Sequence, residues 1–456
     1  MKKKDFKDKR ITVMGLGLHG GGVEAVKFFS QAKAKVLVTD LRTPSELKPS
    51  LDKLKKYQVE FILGQHRPED FSQADLIIKN PAIRKNSKYL QIARDNKVPI
   101  KTATGIFFKL CPAPIIGITG SKGKSTTATL ITEVLKKKYS SVFLAGNIGQ
   151  SALKFLPKIK EKSLVVLELS SWQLAGLKKH KKSPHVAIVT NILHDHMNYY
   201  KSLTDYVADK NLIWQFQKKE DHLILNYDNE HTREMAHQAL SQVHFFSQNS
   251  SEKEAYIKDK KVFFKDEEII PCSEIKLKGH HNLDNILAAV SLSKLYKVSN
   301  SDIASALKEF SGVKWRMEFI TEIEGVQYIN DTAATIPEAC QAALDSFSNK
   351  KVILIAGGAD KNLDFSELAL KIKEKAKTVI LLKGSATNKL KQAISEAGGQ
   401  VLKEADNMAE AVQIASQQAE PGEIVLLSPA CASFGMFKHE FDRGQAFNDA
   451  VVAIKE

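Results

Sequence analysis

Residues 115–127 read Ile-Ile-Gly-Ile-Thr-Gly-Ser-Lys-Gly-Lys-Ser-Thr-Thr, and few backbones accommodate that order. An apolar, β-branched run calls for a buried strand, and the two glycines that follow break it into a tight loop. A helical pattern resumes after the loop. In such a strand–loop–helix unit the loop N–H groups cradle phosphates, the lysine reaches the β/γ-phosphates and the hydroxyl reaches Mg²⁺. The fullest form of the pattern has glycine where Ile118 stands. The remaining GxxGKST core still specifies a nucleotide-phosphate loop, built from Gly120, Ser121, Lys122, Gly123, Lys124, Ser125 and Thr126.

A chain of 456 residues corresponds to about three domains at ~150 residues each. Its 43% hydrophobic and 26% charged composition excludes a disordered chain, a fibrous repeat and a disulfide-stapled miniprotein. No apolar run approaches the ~18 residues of a membrane span. The basic start, MKKKDFKDKR, leads into ITVMGLG without the apolar region of a secretion signal, so a cytoplasmic location is expected. Cys111, Cys272, Cys340 and Cys431 are scattered and form no CxxC pair, which fits reduced thiols. The net charge is 67 − 52 = +15, but only eight of the basic residues are Arg. The lysines are mixed with acids along the chain, without the Arg-and-aromatic stripe of a nucleic-acid binder. Neither a nucleic-acid nor a membrane partner is expected, whereas anionic small molecules suit the charge.

Strand-like runs at 11–15, 36–40, 60–63 and 76–79 alternate with amphipathic stretches, which predicts a parallel sheet with crossover helices. Cys111-Pro112-Ala113-Pro114 marks a boundary. A second α/β unit carries strands near 115–120, 141–145, 164–169, 185–191 and 222–227. Residues 255–271 alternate like a hairpin, and helices follow over about 281–296 and 302–310. The pattern resets near Gly312. Two antiparallel strands then turn at Glu324-Gly325, and strands at 351–356, 378–382 and 423–427 follow. The predicted fold class is therefore α/β in three domains, 1–111, 112–313 and 314–456. The first and third are Rossmann-like, and the middle one is a mononucleotide-binding unit of the phosphate-loop type.

Further constellations carry chemistry. Gly15-Leu16-Gly17-Leu18-His19-Gly20 follows the strand ITVM, and Asp40 ends the next strand. That spacing suits an anionic nucleotide-like ligand, and taken alone it also suits NAD. Glu168 closes the strand LVVLEL, where a carboxylate at the sheet's C-terminal edge is placed to ligate Mg²⁺. His194-Asp195-His196 follows another strand; HxH without further clustered ligands is a weak zinc pattern. Ser202-Leu203-Thr204-Asp205 has capping-box spacing and opens a helix to about Phe216. On it Lys210 shares the apolar face with Tyr206, Val207, Ile213 and Trp214. Asn282 and Asn285 head the next helix, as nucleotide contacts or as caps. Arg316, Asn330-Asp331-Thr332, Gly357–Lys361 and Ser428–Ser433 complete the set, the last three at strand ends.

Taken together and in this order, TGSKGKSTT, AGNIGQS, LELSSWQL, HDHM with YVADK, GHHNLDN, WRMEF, YINDTAAT, AGGADK and LSPACASF resemble the Mur ligase family of peptidoglycan synthesis across essentially the whole chain. The resemblance is strongest to the branch that adds D-glutamate to UDP-N-acetylmuramoyl-L-alanine. It implies that ATP phosphorylates the substrate carboxylate and that the glutamate amine attacks the acyl phosphate. Two Mg²⁺ ions are implied, one at Ser125 and Glu168, the other at His196 and a carbamylated Lys210. Lys124, Glu168, His196 and Lys210 are the implied catalytic residues. Asn285, Arg316 and Asp331 are implied ATP contacts. Gly15, Leu18, His19 and Arg42 would hold the uridine diphosphate, so the glycine turn would serve UDP and not NAD. Asn147 and Ser170 lie by the muramoyl-alanine arm, and Thr335, Lys361 and Ser433 would hold glutamate. A monomer is expected. Three positions depart from the family's usual pattern: Ala333 replaces a lysine, Leu41 a threonine and Glu440 a phenylalanine. A related branch adds L-glutamate, and it remains an alternative at this point. An NAD-dependent oxidoreductase is a remote one that leaves GSKGKST unexplained.

Overall fold

The structure, a computed structural model, describes residues 2–18, 20–84, 86–193, 200, 202–277, 279–347, 351–360 and 363–455. His19, His196 and Lys361 therefore lie outside the described residues. Strands β1 (Arg10–Met14), β2 (Lys35–Asp40), β3 (Val59–Leu63), β4 (Leu76–Lys79) and β5 (Ile100–Lys101) form one sheet in the order β3-β2-β1-β4-β5. Every pairing in it is parallel.

A nine-stranded sheet follows. It contains β6 (Ile115–Thr119), β7 (Val142–Gly146), β8 (Leu164–Glu168), β9 (Val186–Val189), β10 (His222–Asn226) and β11 (Gln242–Ser247). Strands β12 (Ala255–Lys258), β13 (Lys261–Phe264) and β14 (Glu267–Pro271) extend it, in the order β14-β13-β12-β11-β10-β9-β6-β8-β7. Strands β6, β8 and β9 are buried at every position, as expected of parallel strands covered on both faces. The expected hairpin over 255–271 is a three-stranded antiparallel meander, because Asp259-Lys260 and Lys265-Asp266 each turn the chain.

The third sheet holds β15 (Glu318–Ile323), β16 (Val326–Asn330), β17 (Val352–Gly357), β18 (Ala376–Leu382), β19 (Lys403–Ala405) and β20 (Ile424–Leu427), ordered β15-β16-β20-β17-β18-β19. Only β15 pairs antiparallel in it, turning at Glu324-Gly325 as expected. The α/β class is as expected.

The chain divides into two compact units, Met1–Phe310 and Ser311–Glu456. Within the first, a single hydrophobic cluster runs from Phe6, Val13 and Phe29 through Phe107 to Val165, Leu167 and Val189. One face of the first sheet thus shares a continuous apolar interior with the second sheet, while its other face carries a separate cluster around Met14, Phe71 and Ile77. In the second unit, the two faces of the sheet carry separate clusters, around Leu354 and Leu381 and around Ile355 and Phe447. Among the described residues no helix is long and apolar enough to cross a membrane.

Candidate active site

The phosphate loop follows β6 and ends where the helix Lys124–Lys136 begins. Gly123 caps that helix in the left-handed region at φ +82°, and a Cβ there would collide with Asn285 Oδ1. A Cβ on Gly120, at φ +148°, would collide with Thr190 Oγ1. Only glycine admits both the conformation and the approach of these neighbours. The first-turn N–H groups of the helix have no partner within the helix and point into the loop, which favours an anion.

The residues that hold the loop come from the segment after β9, which sequence reasoning did not single out. Asn191 Oδ1 accepts from Lys122 N at 2.9 Å, and its carbonyl accepts from Ser121 N at 2.9 Å. Thr190 Oγ1 donates to the Lys122 carbonyl at 2.6 Å. Ser121 Oγ accepts from Leu193 N at 2.9 Å and meets Tyr206 Oη at 3.1 Å. Lys124 folds back over its own loop, donating to the Gly120 and Ser121 carbonyls at 3.0 and 2.8 Å. Lys122 is exposed, and Thr126 is half-buried in the first helical turn. Asn285 Oδ1 accepts from Thr127 Oγ1 at 3.0 Å, and its amide donates to Asn282 Oδ1 at 2.9 Å. The head of the helix His280–Leu295 is thus pinned to the loop.

Glu168, 1% exposed, sits at the C-terminal end of β8 beside β6. Ser125 Oγ donates to its Oε2 at 2.7 Å, and Asn147 Nδ2 donates to Oε1 at 2.9 Å. A hydroxyl and a carboxylate oxygen that already touch form a hard-oxygen donor set of the kind Mg²⁺ takes. Asn147 therefore orients Glu168. Ser170 caps the short helix Ser171–Ala175 and accepts from Gln173 N at 3.3 Å.

The helix carrying Lys210 spans Leu203–Asn211, capped by Ser202, whose Oγ accepts from Asp205 N at 3.1 Å. It ends five residues before the expected Phe216, where Ser183 Oγ accepts from Phe216 N and the chain turns. Tyr206 and Lys210 are its buried residues, as the helical spacing predicts. Lys210 is 2% exposed; its Nζ donates to the Gly120 carbonyl at 2.7 Å and lies 4.6 Å from the Tyr206 ring centroid. This places the side chain directly behind the phosphate loop.

In the first sheet, Gly15, Gly17 and Gly20 all take positive φ, and Gly20 caps the helix Gly21–Gln31. A Cβ at Gly22 would collide with the Leu16 carbonyl, so Gly22 lets helix and strand close together. Asp40 Oδ2 accepts from Gly17 N at 3.1 Å and Oδ1 from Arg42 N at 3.0 Å. With both oxygens engaged by the turn, Asp40 shapes the loop, whereas a dinucleotide site would aim this acid at a ribose. Leu18 is half-buried, and the Arg42 side chain and Leu41 are exposed.

In the second unit, Asp331 lies just past β16 and is 7% exposed. Ser428 Oγ donates to its Oδ2 at 2.8 Å, and Met317 N to Oδ1 at 3.2 Å. Burial pushes its carboxyl up to about 7, opposed by those hydrogen bonds and by Arg316 nearby. Trp315, Met317 and Ala430 hold left-handed backbones at φ +70°, +47° and +58°. Such strain in non-glycine residues concentrates at functional sites.

Arg443, passed over in the sequence, is 0% exposed. It donates to Thr332 Oγ1, the Thr332 carbonyl and the Cys431 carbonyl, each at 3.0 Å. It thereby fastens the loop of Asp331 and Thr335 to that of Ser433, and burial lowers its pKa to about 10. Ser433 is 3% exposed and Thr335 half-buried. Thr332 Oγ1 donates to the Glu440 carbonyl at 2.9 Å, and Phe441 next to it presents a 49% exposed ring. Among the described residues no group of three His, Cys, Asp or Glu side chains could hold a metal ion.

Residues 118–293 match the Mur ligase middle domain, residues 315–431 the Mur ligase glutamate ligase domain, and residues 9–102 the Mur ligase MurD-like N-terminal domain. The chain belongs to the Mur ligase family. As a Mur ligase it is 42% identical to the UDP-N-acetylmuramoylalanine-D-glutamate ligase of Roseiflexus sp. (strain RS-1), over 97% of this chain and 98% of that one. It is 36% identical to the enzyme of the same name from Streptococcus equi subsp. zooepidemicus, over 99% and 98%. The fold of this Mur ligase is shared with UDP-N-acetylmuramate-alanine ligase from Thermotoga maritima, at TM-score 0.60 and 20% identity over 98% of this chain and 100% of that one. It is also shared with the MurF ligase of Thermotoga maritima solved in complex with ADP, at TM-score 0.54 and 15% identity over 99% and 97%.

Proposed function

We propose that the chain joins D-glutamate to UDP-N-acetylmuramoyl-L-alanine with consumption of ATP, in peptidoglycan precursor synthesis. A carboxylate oxygen of the UDP-sugar-alanine attacks the γ-phosphorus, and the bond to ADP breaks. The glutamate nitrogen then attacks the acyl carbon, loses a proton, and the tetrahedral adduct expels phosphate to leave the amide. The observation that carries this reading is the contact of Ser125 with Glu168 at the mouth of the phosphate loop, in a chain 42% identical to a D-glutamate ligase over its length.

Phosphoryl transfer is chiefly positioning and charge neutralisation. In this reading the loop N–H groups from Gly120 to Thr126 and the Lys124 ammonium hold the triphosphate. Asn285, Arg316 and Asp331 contact ATP. Ser125 and Glu168 would hold one Mg²⁺, with His196 and a carbamylated Lys210 at a second. Bound Mg²⁺ would relieve the repulsion between an incoming carboxylate and the triphosphate. Carbamylation would turn a buried ammonium into an anionic oxygen donor, which suits a site next to Mg²⁺. Gly15, Leu18, His19 and Arg42 take the uridine diphosphate, Asn147 and Ser170 the muramoyl-alanine arm, and Thr335, Lys361 and Ser433 the glutamate. In the domain division we favour, 1–111 binds the UDP-substrate, 112–313 ATP and 314–456 glutamate. The protein acts in the cytoplasm as a monomer.

The test is phosphate release from ATP with UDP-N-acetylmuramoyl-L-alanine and D- or L-glutamate supplied separately. Release should require the UDP-substrate and D-glutamate together. Turnover with L-glutamate alone, or release indifferent to either substrate, overturns the reading.

A further inference from the structure

The basic residues are not spread evenly over the folded chain. No Asp or Glu occurs from 96 to 132, or from 169 to 194. Folding brings parts of these two stretches together. Gly105, in the helix Ala103–Leu110, lies so near the His180 ring that a Cβ there would collide with His180 Nε2. A Cβ on Gly176 would fall 2.7 Å from Thr102 Oγ1. The close approach sets Lys101 and Lys109 beside the turn Lys178-Lys179-His180-Lys181-Lys182, and Lys182 Nζ reaches the Phe108 carbonyl at 3.5 Å. Burial lowers the His180 pKa, and the positive charges of Lys101, Lys109 and Lys182 lower it further.

Lys109, Lys178, Lys179, Lys181 and Lys182 are exposed, and Lys101 is half-buried. Among the described residues, none of the six forms an ion pair with an acidic side chain, although lysines elsewhere on the chain repeatedly do. Like charges gathered without counter-charge are unfavourable for the isolated fold, and an anionic partner relieves that cost.

We propose that this face docks onto an anionic lipid bilayer. The mixing of lysines with acids along the chain argues against a membrane partner; the clustering in the fold revises that expectation. The cluster is all lysine: hydrated point charges that act by number, without the planar fork that Arg offers to one fixed partner. No Phe, Tyr or Trp lies in the 178–182 turn to stack on a base, and the His180 ring is packed against Gly105. None of the large exposed apolar side chains among the described residues falls in 96–111 or 169–185, so a protein partner would find no apolar centre there. A bilayer surface needs neither feature.

The experiment is co-sedimentation of the full-length chain with vesicles containing phosphatidylglycerol and with pure phosphatidylcholine vesicles, at low and high salt. Binding to the anionic vesicles, released by salt and absent from phosphatidylcholine, is expected. The quadruple variant K178Q/K179Q/K181Q/K182Q should bind about a hundredfold or more weakly, with a melting temperature no lower than the parent's and nucleotide turnover unchanged. Should that variant not fold, K101Q/K109Q replaces it, with at least a several-fold loss expected. No binding to the anionic vesicles, or undiminished binding by the folded variant, overturns the proposal. So does competition in which RNA or polyglutamate is preferred to the vesicles. None of these readouts depends on which amino acid the chain ligates.

Discussion

A lysine ammonium is among the groups least tolerant of burial, yet Lys210 keeps only 2% of its surface and lies against the phosphate-loop carbonyl of Gly120. Helical spacing predicted its inward position, because Tyr206 and Lys210 fall on one face four residues apart. What spacing could not supply is the neighbour, since the loop arrives from 90 residues away. K210A should lose activity by several orders of magnitude, and bicarbonate or a short carboxylic acid should restore more of it than chloride does. Equal recovery in chloride would refute the carbamate. Asp331 allows a sharper sign. Burial raises its carboxyl to about 7 from an ordinary 3.8, so the fold favours the protonated form. Its contribution to stability is full below pH 4 and lost as the pH climbs through 7. D331N removes the titration, so its melting temperature relative to the parent should rise between pH 5 and pH 8. A constant difference would show that Asp331 does not titrate there. Arg443 was legible only as one of eight arginines. Its burial depends on Gly444, where a Cβ would collide with Trp315 and Thr332, and no local pattern announces that.

At the scale of elements, the phosphate loop was the most readable part of the chain because its geometry is local. Strand β6, two glycines at positive φ and a helix start lie within about a dozen residues. G123A should abolish nucleotide binding while the rest of the fold survives, since both the left-handed backbone and the Asn285 contact forbid a side chain. Calorimetric titration with ATP against the parent decides it. The short strands β5 and β19 carried no readable signal, being only two and three residues long. A chain of histidines along the N-terminal ends of β9, β10 and β11 was equally hidden, because its members lie far apart in sequence. His185 Nδ1 meets Asp221 at 2.7 Å, His222 Nδ1 meets His244 Nε2 at 3.1 Å, and His244 Nδ1 meets Glu254 at 2.8 Å. One proton can bridge His222 and His244; a second sets two N–H groups against each other. Burial, then His244 and His185, lower the His222 pKa, against the pull of Asp221 and Glu254. A base held neutral in the fold contributes stability above its unfolded pKa and loses it as the pH falls. The parent should therefore lose more melting temperature between pH 7 and pH 5.5 than H222Q does. Parallel losses would show that the histidine chain does not sense pH.

For the whole molecule, length alone suggested three domains, and the described residues form three sheets. The number of cooperative units is a different quantity. The first two sheets share one apolar cluster, whereas the clusters of residues 311–456 are their own. Calorimetry should resolve two unfolding transitions, and a fragment of 311–456 should fold alone with a single one. Three separate transitions, with the first sheet melting by itself, would contradict the shared cluster. By itself the sequence determined the α/β class, the phosphate loop, the inward lysine and, through the order of its motifs, the family. Each of these is written in short-range spacing or in motif order along the chain, which the amino-acid string carries directly. Only the tertiary structure decided that Asp40 shapes its own turn, that Asn147 and Ser125 share Glu168, that Arg443 ties two loops together, and that Lys101 and Lys109 come to lie beside the lysines of 178–182. Those are meetings of residues distant in sequence, and their energetics come from burial and from the field of neighbours, which exist only once the chain has closed around them.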